Sequence, residues 1–424
     1  MRSVLHNILR FLAHTTLLRH QPDIIAITGS VGKSSVKEAV FAVLYKNYLV
    51  RKSEKNYNNE IGLPLSILGS RSHGKSPIGW LAVLIKGFFL ATIGSRKYPE
   101  ILILEMGADK PGDIKYLLKI IPPKLLKIGI VTAVSPTHLE FFKTIENVLA
   151  EKKSLLLAVR PNGWSIINND DSSSEELKQD IKSKILTYGL NPKVDVTAKE
   201  VKFTGDSGIT FKLATNSSVV PAALPKALGT HQIYAALAAA SVGVAYGVTL
   251  VHISESLKNY KILPGRMNLL KGIKHSQIID DTYNSSPLAA IAATETLVKL
   301  KSKGSKWAIM GDMLELGKIA EEEHRRLGRE IARAGINYLV VVGELSRDIS
   351  RGARRVGMDK DHIFAFSDTK AAGLFVQDRL KKNDLLLIKG SQGSRMERIV
   401  KELMAEPLRA EELLVRQDKQ WQKK

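Results

Sequence analysis

Residues Ile24 to Ser35 read Ile-Ile-Ala-Ile-Thr-Gly-Ser-Val-Gly-Lys-Ser-Ser. A β-branched apolar run ends in a small turn at Gly29, Ser30 and Gly32, and Lys33, Ser34 and Ser35 open a helical pattern. The chemistry this combination serves is phosphate binding. Glycines let backbone N–H groups approach phosphate oxygens, the helix N-terminus favours an anion, and Lys33 adds a mobile positive charge. The hydroxyl of Ser34 stands where that of a phosphate loop reaches Mg²⁺. The full Walker pattern asks for glycine at position 27. This chain has Ile27 and shows the shorter form Thr-Gly-Ser-x-Gly-Lys-Ser-Ser.

Other residues could complete such a site. Glu105 ends the buried-type strand Ile101–Glu105. A carboxylate at the carboxyl end of a strand, in the same sheet as a phosphate loop, is a natural Mg²⁺ ligand. His138, in Pro136-Thr-His-Leu-Glu140, follows a strand at Ile128–Val131 and can ligate a second divalent ion when neutral. A loop histidine alone is more often structural. Lys152, beside Lys153, is by residue type an ordinary helix lysine. Asn58 and Asn59 belong to an amide-dense loop, Asn56 to Pro64, able to bridge phosphate and substrate. Asparagines are also common turn formers.

The elements that must position these groups follow an alternating pattern. Strands at Ile24–Thr28, Ile101–Glu105, Ile128–Val131 and Trp164–Ile167 alternate with helices at Ser34–Tyr45, Gly112–Ile121 and Ile145–Val159. This is the signature of α/β domains with mostly parallel sheets. A β-rich, turn-rich stretch between Asp195 and Val220 predicts a small antiparallel excursion, and Ala235–Ala245 an alanine-rich buried helix. After Leu263-Pro-Gly-Arg266 a second α/β set begins, with strands at Gln277–Asp281, Trp307–Met310, Tyr338–Val342, Ile363–Phe366 and Leu385–Lys389. The expected organisation is an amphipathic helix over 1–22, a nucleotide-binding domain over 23–270, a C-terminal Rossmann-like domain over 271–405, and a charged, fraying tail over 406–424.

The chain has 424 residues, 44% hydrophobic and 25% charged, an ordinary globular balance. It holds no cysteine, which excludes disulfides, thiolate zinc sites and cysteine nucleophiles and fits a reducing, cytoplasmic setting. The formal charge of +21 is spread along the chain, without zinc-finger spacing or an RNA-binding aromatic motif. It suits anionic substrates and contact with an anionic membrane surface better than nucleic acid. Ile78–Gly94 is apolar on nearly every face, with Lys86 its one charge. It predicts a helix packed on the protein or lying on a membrane. A true span would separate the phosphate loop from Glu105.

The ordered motifs resemble the Mur ligase family, specifically its D-alanyl-D-alanine-adding branch. They are the phosphate loop, the asparagine loop, Glu105-Met-Gly-Ala, His138-Leu-Glu, Pro264-Gly-Arg, Asp280-Asp-Thr-Tyr-Asn, Gly311-Asp-Met-Leu-Glu-Leu-Gly, Glu322-Glu-His and Lys389-Gly-Ser-Gln-Gly-Ser-Arg-Met-Glu, covering residues 23–403. The resemblance implies ATP and two Mg²⁺ ions as cofactors. It implies a reaction in which a substrate carboxylate becomes an acyl phosphate that an amine then attacks. The implied substrates are a peptidoglycan precursor peptide and D-alanyl-D-alanine or a similar amine. The alternatives are the same chemistry on a non-UDP or membrane-linked acid, and a nucleotide-binding scaffold without turnover.

Carried over by position, the resemblance puts Lys33 on the β- and γ-phosphates. Ser34 and Glu105 would bind one Mg²⁺, and His138 with a carbamylated Lys152 the other. His231, Arg266, Asp281 and Asn284 would contact the nucleotide. The chain departs from the family pattern at Gln232 and Ala235, at Ser286 and at Ser154. Only about twenty residues precede the first strand. The UDP-holding domain of the family is therefore expected to be absent, with little binding energy from the uridine end.

Overall fold

The computed structural model describes residues 2–418 and 421, apart from 55–56, 137–138 and 205–206. The first sheet has nine strands: β1 (Asp23–Thr28), β2 (Val50–Lys52), β3 (Ile101–Glu105), β4 (Leu126–Val131), β5 (Trp164–Asn168), β6 (Lys184–Gly189), β7 (Val196–Phe203), β8 (Ile209–Thr215) and β9 (Val219–Leu224). Their order is β2-β3-β1-β4-β5-β6-β7-β8-β9. The strands are parallel as far as β7, and β8 runs antiparallel to its neighbours β7 and β9. The antiparallel excursion therefore extends the main sheet. β3 is buried at every position because helices cover both faces, as parallel sheets require.

One face is covered by α2 (Lys33–Leu44) and the helix Thr230–Ala245. Alanines at 235, 236 and 238–240 are buried, and small side chains let these two helices approach closely. The other face carries α1 (Arg2–His20), α3 (Gly62–Leu68), α5 (Asp113–Leu118) and the helix Ile145–Leu157. In α1 the buried positions Leu9, Leu12, Ala13 and Leu17 recur at helical spacing. Burying one leucine contributes about 1.5–3 kcal/mol, so Leu17→Asp is the single change that would detach this helix.

The apolar segment forms α4 (Pro77–Thr92). Ser76 caps it, accepting from the Gly79 N–H at 3.2 Å, and Pro77 opens it. α4 lies on α1 and α3, with Val83, Gly87 and Ala91 buried. A Cβ at Gly87 would come 3.0 Å from Leu12 Cδ1, which is the close approach that glycine allows. At the far end Arg19 Nη2 donates to Ile93 O at 2.8 Å. No helix among the described residues is long and apolar enough to cross a membrane.

The second sheet has six strands: β10 (Asn268–Lys271), β11 (Gln277–Asp281), β12 (Lys306–Gly311), β13 (Tyr338–Val342), β14 (Ile363–Phe366) and β15 (Leu385–Lys389), in the order β10-β11-β15-β12-β13-β14. All pairs are parallel except β10 with β11. β10 pairs wholly within this sheet, so the boundary expected after residue 270 moves back to Asn268.

The expected fraying from residue 406 is also corrected. Ala410 and Leu414 are buried. Arg416 Nη2 pairs with Glu397 Oε2 at 2.9 Å, and Arg416 Nη1 donates to Tyr283 O at 3.1 Å. Arg395 Nη1 donates to Trp421 O at 3.1 Å. The buried Glu397 carboxylate, also paired with Arg395, draws in the second arginine. A polar segment is thereby docked by charge, which local polarity alone conceals.

Candidate functional site

β1 lies between β3 and β4, and its register sets Ile27 beside Glu105 and Thr28 beside Val131. The chain leaves β1 toward one side of the sheet for β2 and β3, and later crosses to the other side for β4. Such a reversal opens a crevice at the carboxyl ends of the strands. The phosphate loop fills the turn there. Gly29 has φ +144° and Gly32 φ +87°. A Cβ at Gly29 would fall 2.0 Å from Thr132 Oγ1. Ser30 pins the loop to the exit of β4: its N–H donates to Ala133 O at 2.8 Å, and its hydroxyl donates to Ser135 O at 3.0 Å. Ser35 is buried in the first turn of α2. Lys33 folds back over the loop, with Nζ donating to Gly29 O at 2.6 Å. Burial lowers its pKa, and the nearby Glu105 carboxylate opposes that shift.

Glu105 is 2% exposed and gathers the polar groups around it. Ser34 Oγ donates to both carboxylate oxygens, at 3.2 and 3.1 Å. Lys37 Nζ lies 3.4 Å from Oε2, and Asn58 Nδ2 lies 3.5 Å from Oε1. A carboxylate and a hydroxyl converging beside a phosphate loop form a hard oxygen donor set. That fits Mg²⁺, which keeps waters and phosphate oxygens in its remaining positions. Among the described residues no three His, Cys, Asp or Glu side chains cluster as an all-protein metal cage. His138 lies outside the described residues.

Lys152 is 2% exposed, in the helix Ile145–Leu157. Burial, then the charge of Lys33, lowers its pKa to about 7, against the pull of Glu151, Asp109 and Asp113. The adjacent Glu151 is committed elsewhere, accepting from the N–H groups of Gly112 at 2.8 Å and Ile114 at 2.6 Å. It caps α5. Ser154 is likewise internal to its helix, donating to Glu151 O at 2.6 Å. A neutral, buried amine is the form that adds CO₂, and the carbamate so formed is an anionic oxygen ligand.

The second half of the site stands at the domain junction. Arg266 lies over the Tyr283 ring, 3.9 Å from its centroid, and its Nε is buried without a hydrogen-bond partner. Two contacts hold its backbone. Gln232 Nε2 donates to Arg266 O at 3.2 Å, and the N–H of Gly265 donates to Asp280 Oδ2 at 3.1 Å. Gln232 is itself held by the Tyr260 hydroxyl at 2.5 Å. Asp280 is fully buried, and burial raises its pKa to about 6. Lys389 Nζ donates to Asp281 Oδ2 at 2.7 Å and to Asn284 O at 2.8 Å. Burial pushes His231 down to about 4; Asp281 opposes that shift, while Lys389 and Arg266 add to it.

The structure thus brings Gly29, Ser30, Gly32, Lys33, Ser34, Asn58, Glu105 and Lys152 to one crevice, with Arg266 near enough to lower the Lys33 pKa. His231, Arg266, Asp281 and Asn284 gather across the junction. Asn59 is engaged as a cap of α3, its Oδ1 accepting from the Gly62 N–H at 2.9 Å. Sequence reasoning missed Lys37 and Tyr283. The signal for Lys37 was its place one turn after Lys33 in a helix whose residues 34 to 40 are all buried.

A parallel sheet carrying a phosphate loop, joined to a second α/β domain through a junction where a half-buried arginine keeps a buried, unpartnered Nε, defines a two-domain nucleotide-dependent enzyme. Residues 89–243 match the Mur ligase middle domain, and residues 265–392 the Mur ligase, glutamate ligase domain. The UDP-N-acetylmuramoyl-tripeptide--D-alanyl-D-alanine ligase of Buchnera aphidicola subsp. Baizongia pistaciae is 31% identical over 384 residues, covering 90% of this chain and 75% of that protein. The Bacillus subtilis protein of the same name is 29% identical, covering 94% and 80%. The crystal structure of MurF ligase from Thermotoga maritima in complex with ADP superposes with TM-score 0.76 at 27% identity, covering 94% of this chain and 83% of that one. The chain belongs to the Mur ligase family, in its MurF branch. It is an ATP- and Mg²⁺-dependent ligase that forms an amide bond, which sets aside the nucleotide-binding scaffold.

Proposed function

We propose that this chain joins a carboxylate of a peptidoglycan precursor peptide to the amine of D-alanyl-D-alanine, through an acyl phosphate formed from ATP. The observation that carries the reading is the convergence of Ser34 on Glu105 beside the Lys33 loop.

In this reading the backbone N–H groups of the Gly29–Gly32 loop hold the phosphates, and Lys33 leaves the Gly29 carbonyl to follow the terminal phosphoryl group. Ser34 and Glu105 hold one Mg²⁺, and Lys152, as its carbamate, holds the other with His138. Bound Mg²⁺ supplies positive charge where phosphoryl oxygens grow more negative. Arg266 approaches the nucleotide from the junction with its unpartnered Nε, oriented by Tyr283, Gln232 and Gly265. Asp281 and Asn284 line the nucleotide from the second domain, and His231 from the start of the helix Thr230–Ala245 in the first. Neutral at physiological pH, His231 accepts or donates a single hydrogen bond there without adding charge. Peripheral contact with an anionic membrane, on its inner face, is part of the same reading.

The test is product formation from purified chain, ATP, Mg²⁺, UDP-N-acetylmuramoyl-tripeptide and D-alanyl-D-alanine, with phosphate release and mass detection. Release that depends on both substrates and yields the joined pentapeptide is the expected result. Release that ignores D-alanyl-D-alanine but responds to another amine would replace the substrate assignment.

A further inference from the structure

The outward face of α4 inverts the usual pattern of a surface helix, which turns its polar side to water. Ile78, Leu81, Ile85, Phe88, Phe89 and Ile93 are 48–81% exposed. They recur at helical spacing opposite Val83, Gly87 and Ala91, which pack on the protein. α1 runs alongside in the same direction, with Leu12 at Gly87 and Arg19 at Ile93. It adds its own exposed stripe at Val4, Ile8, Phe11 and Leu18. Apolar surface presented by two neighbouring helices marks an interaction site.

The charges around it say what kind. Residues 2–22 and 61–99 contain no Asp or Glu. Lys75 is exposed just before α4, and Arg96 and Lys97 are exposed just after it. Arg19, His20, Ser95 and Arg96 line a shallow pocket at that C-terminal end, beside Gly94. An acid-free surface meeting a second copy of itself would set like charges together with nothing to neutralise them. A surface of anionic phosphates over acyl chains satisfies both the apolar stripes and the cations.

We propose that α1 and α4 form a docking face for an anionic lipid bilayer. The exposed side chains of α4 and α1 enter the acyl boundary, and Arg19, Arg96 and Lys97 pair with lipid phosphates. The inference deepens the peripheral-contact part of the reading above and does not depend on the ligase chemistry.

The full chain is sedimented with phosphatidylglycerol–phosphatidylcholine vesicles and with phosphatidylcholine vesicles, at low and high salt. Ligation of soluble substrates and oligomeric state are measured in parallel. Binding to the anionic vesicles at least about tenfold stronger than to neutral ones, and weakened by salt, is expected. Phe88→Glu with Phe89→Glu should abolish it while leaving ligation unchanged. Arg96→Glu with Lys97→Glu, at exposed positions outside any core, should remove the anionic preference even if the first variant fails to fold. No pelleting with anionic vesicles at low salt would overturn the proposal. So would binding indifferent to the charge reversals, or a dimer dispersed by the Phe88 and Phe89 changes. Loss of ligation with intact vesicle binding would count against the ligase reading alone.

Discussion

Lys37 Nζ lies 3.4 Å from Glu105 Oε2, with the two side chains 2% and 3% exposed. This ammonium balances a buried carboxylate that also accepts from the Ser34 hydroxyl and lies beside the Asn58 amide. The same carboxylate is the proposed Mg²⁺ ligand, so lysine and metal act on one charge.

Removing one partner of a buried pair typically costs about 3–5 kcal/mol, because the other charge is left uncompensated. Lys37→Met should therefore lower the melting temperature in the presence of EDTA. Saturating Mg²⁺ should recover much of that loss, since a ligand that binds only the folded state stabilises it. Thermal melts with and without Mg²⁺ check this. Equal destabilisation in both would show that Lys37 and the metal do not share Glu105.

Lys152 gives a pH dependence whose sign is fixed. Its folded pKa is about 7, below the ordinary lysine value of 10.5. Between these values the unfolded chain holds the proton and the folded chain does not. Its contribution to stability therefore rises with pH through that window and is absent below about pH 7. Lys152→Met should flatten the rise, measured by denaturant unfolding from pH 6.5 to 10. In activity, the neutral amine must take up CO₂. Turnover should rise through about pH 7, fall in CO₂-depleted buffer and return with bicarbonate. Lys152→Ala should be inactive and partly rescued by short carboxylates. A variant active without rescue would remove Lys152 from the metal site.

Gln232 occupies a position where the family pattern has asparagine, and it is fully buried between Tyr260 Oη and Arg266 O. It positions the backbone that carries Arg266. Gln232→Ala leaves both partners short of a hydrogen bond, a loss of roughly 1–3 kcal/mol. The expected kinetic result is a raised KM for ATP with a smaller change in kcat, and Gln232→Asn should fail to restore it because the shorter side chain does not span both partners. A normal KM for ATP in the alanine variant would reduce Gln232 to packing.

Much of this architecture was legible. The spans Ile101–Glu105, Gln277–Asp281, Tyr338–Val342, Ile363–Phe366 and Leu385–Lys389 are strands over those same bounds; four are short, largely buried runs inside a mostly parallel sheet, and Ile363–Phe366 is its half-exposed edge. The phosphate loop was legible because its glycines serve backbone geometry that other residues cannot adopt. What stayed hidden depends on distant partners. Lys37 reads as a surface lysine until Glu105 is brought to it across 68 residues of sequence. Arg416 reads as tail until Glu397 is seen buried beneath it. β10 reads as linker because its four residues owe their strand conformation to β11.

The most direct measurement is the ATP-dependent formation of the amide product by the wild-type chain and by Lys33→Ala, at saturating Mg²⁺ and both substrates. Lys33 Nζ stands over the phosphate loop, 2.6 Å from Gly29 O. Removing one electrostatic stabiliser of this kind typically costs ~10²–10³ in kcat. The result expected is robust product from the wild type and a loss of that order in the variant, with the fold unchanged by circular dichroism. Near-normal product formation by Lys33→Ala would contradict the assignment of phosphoryl transfer to this loop.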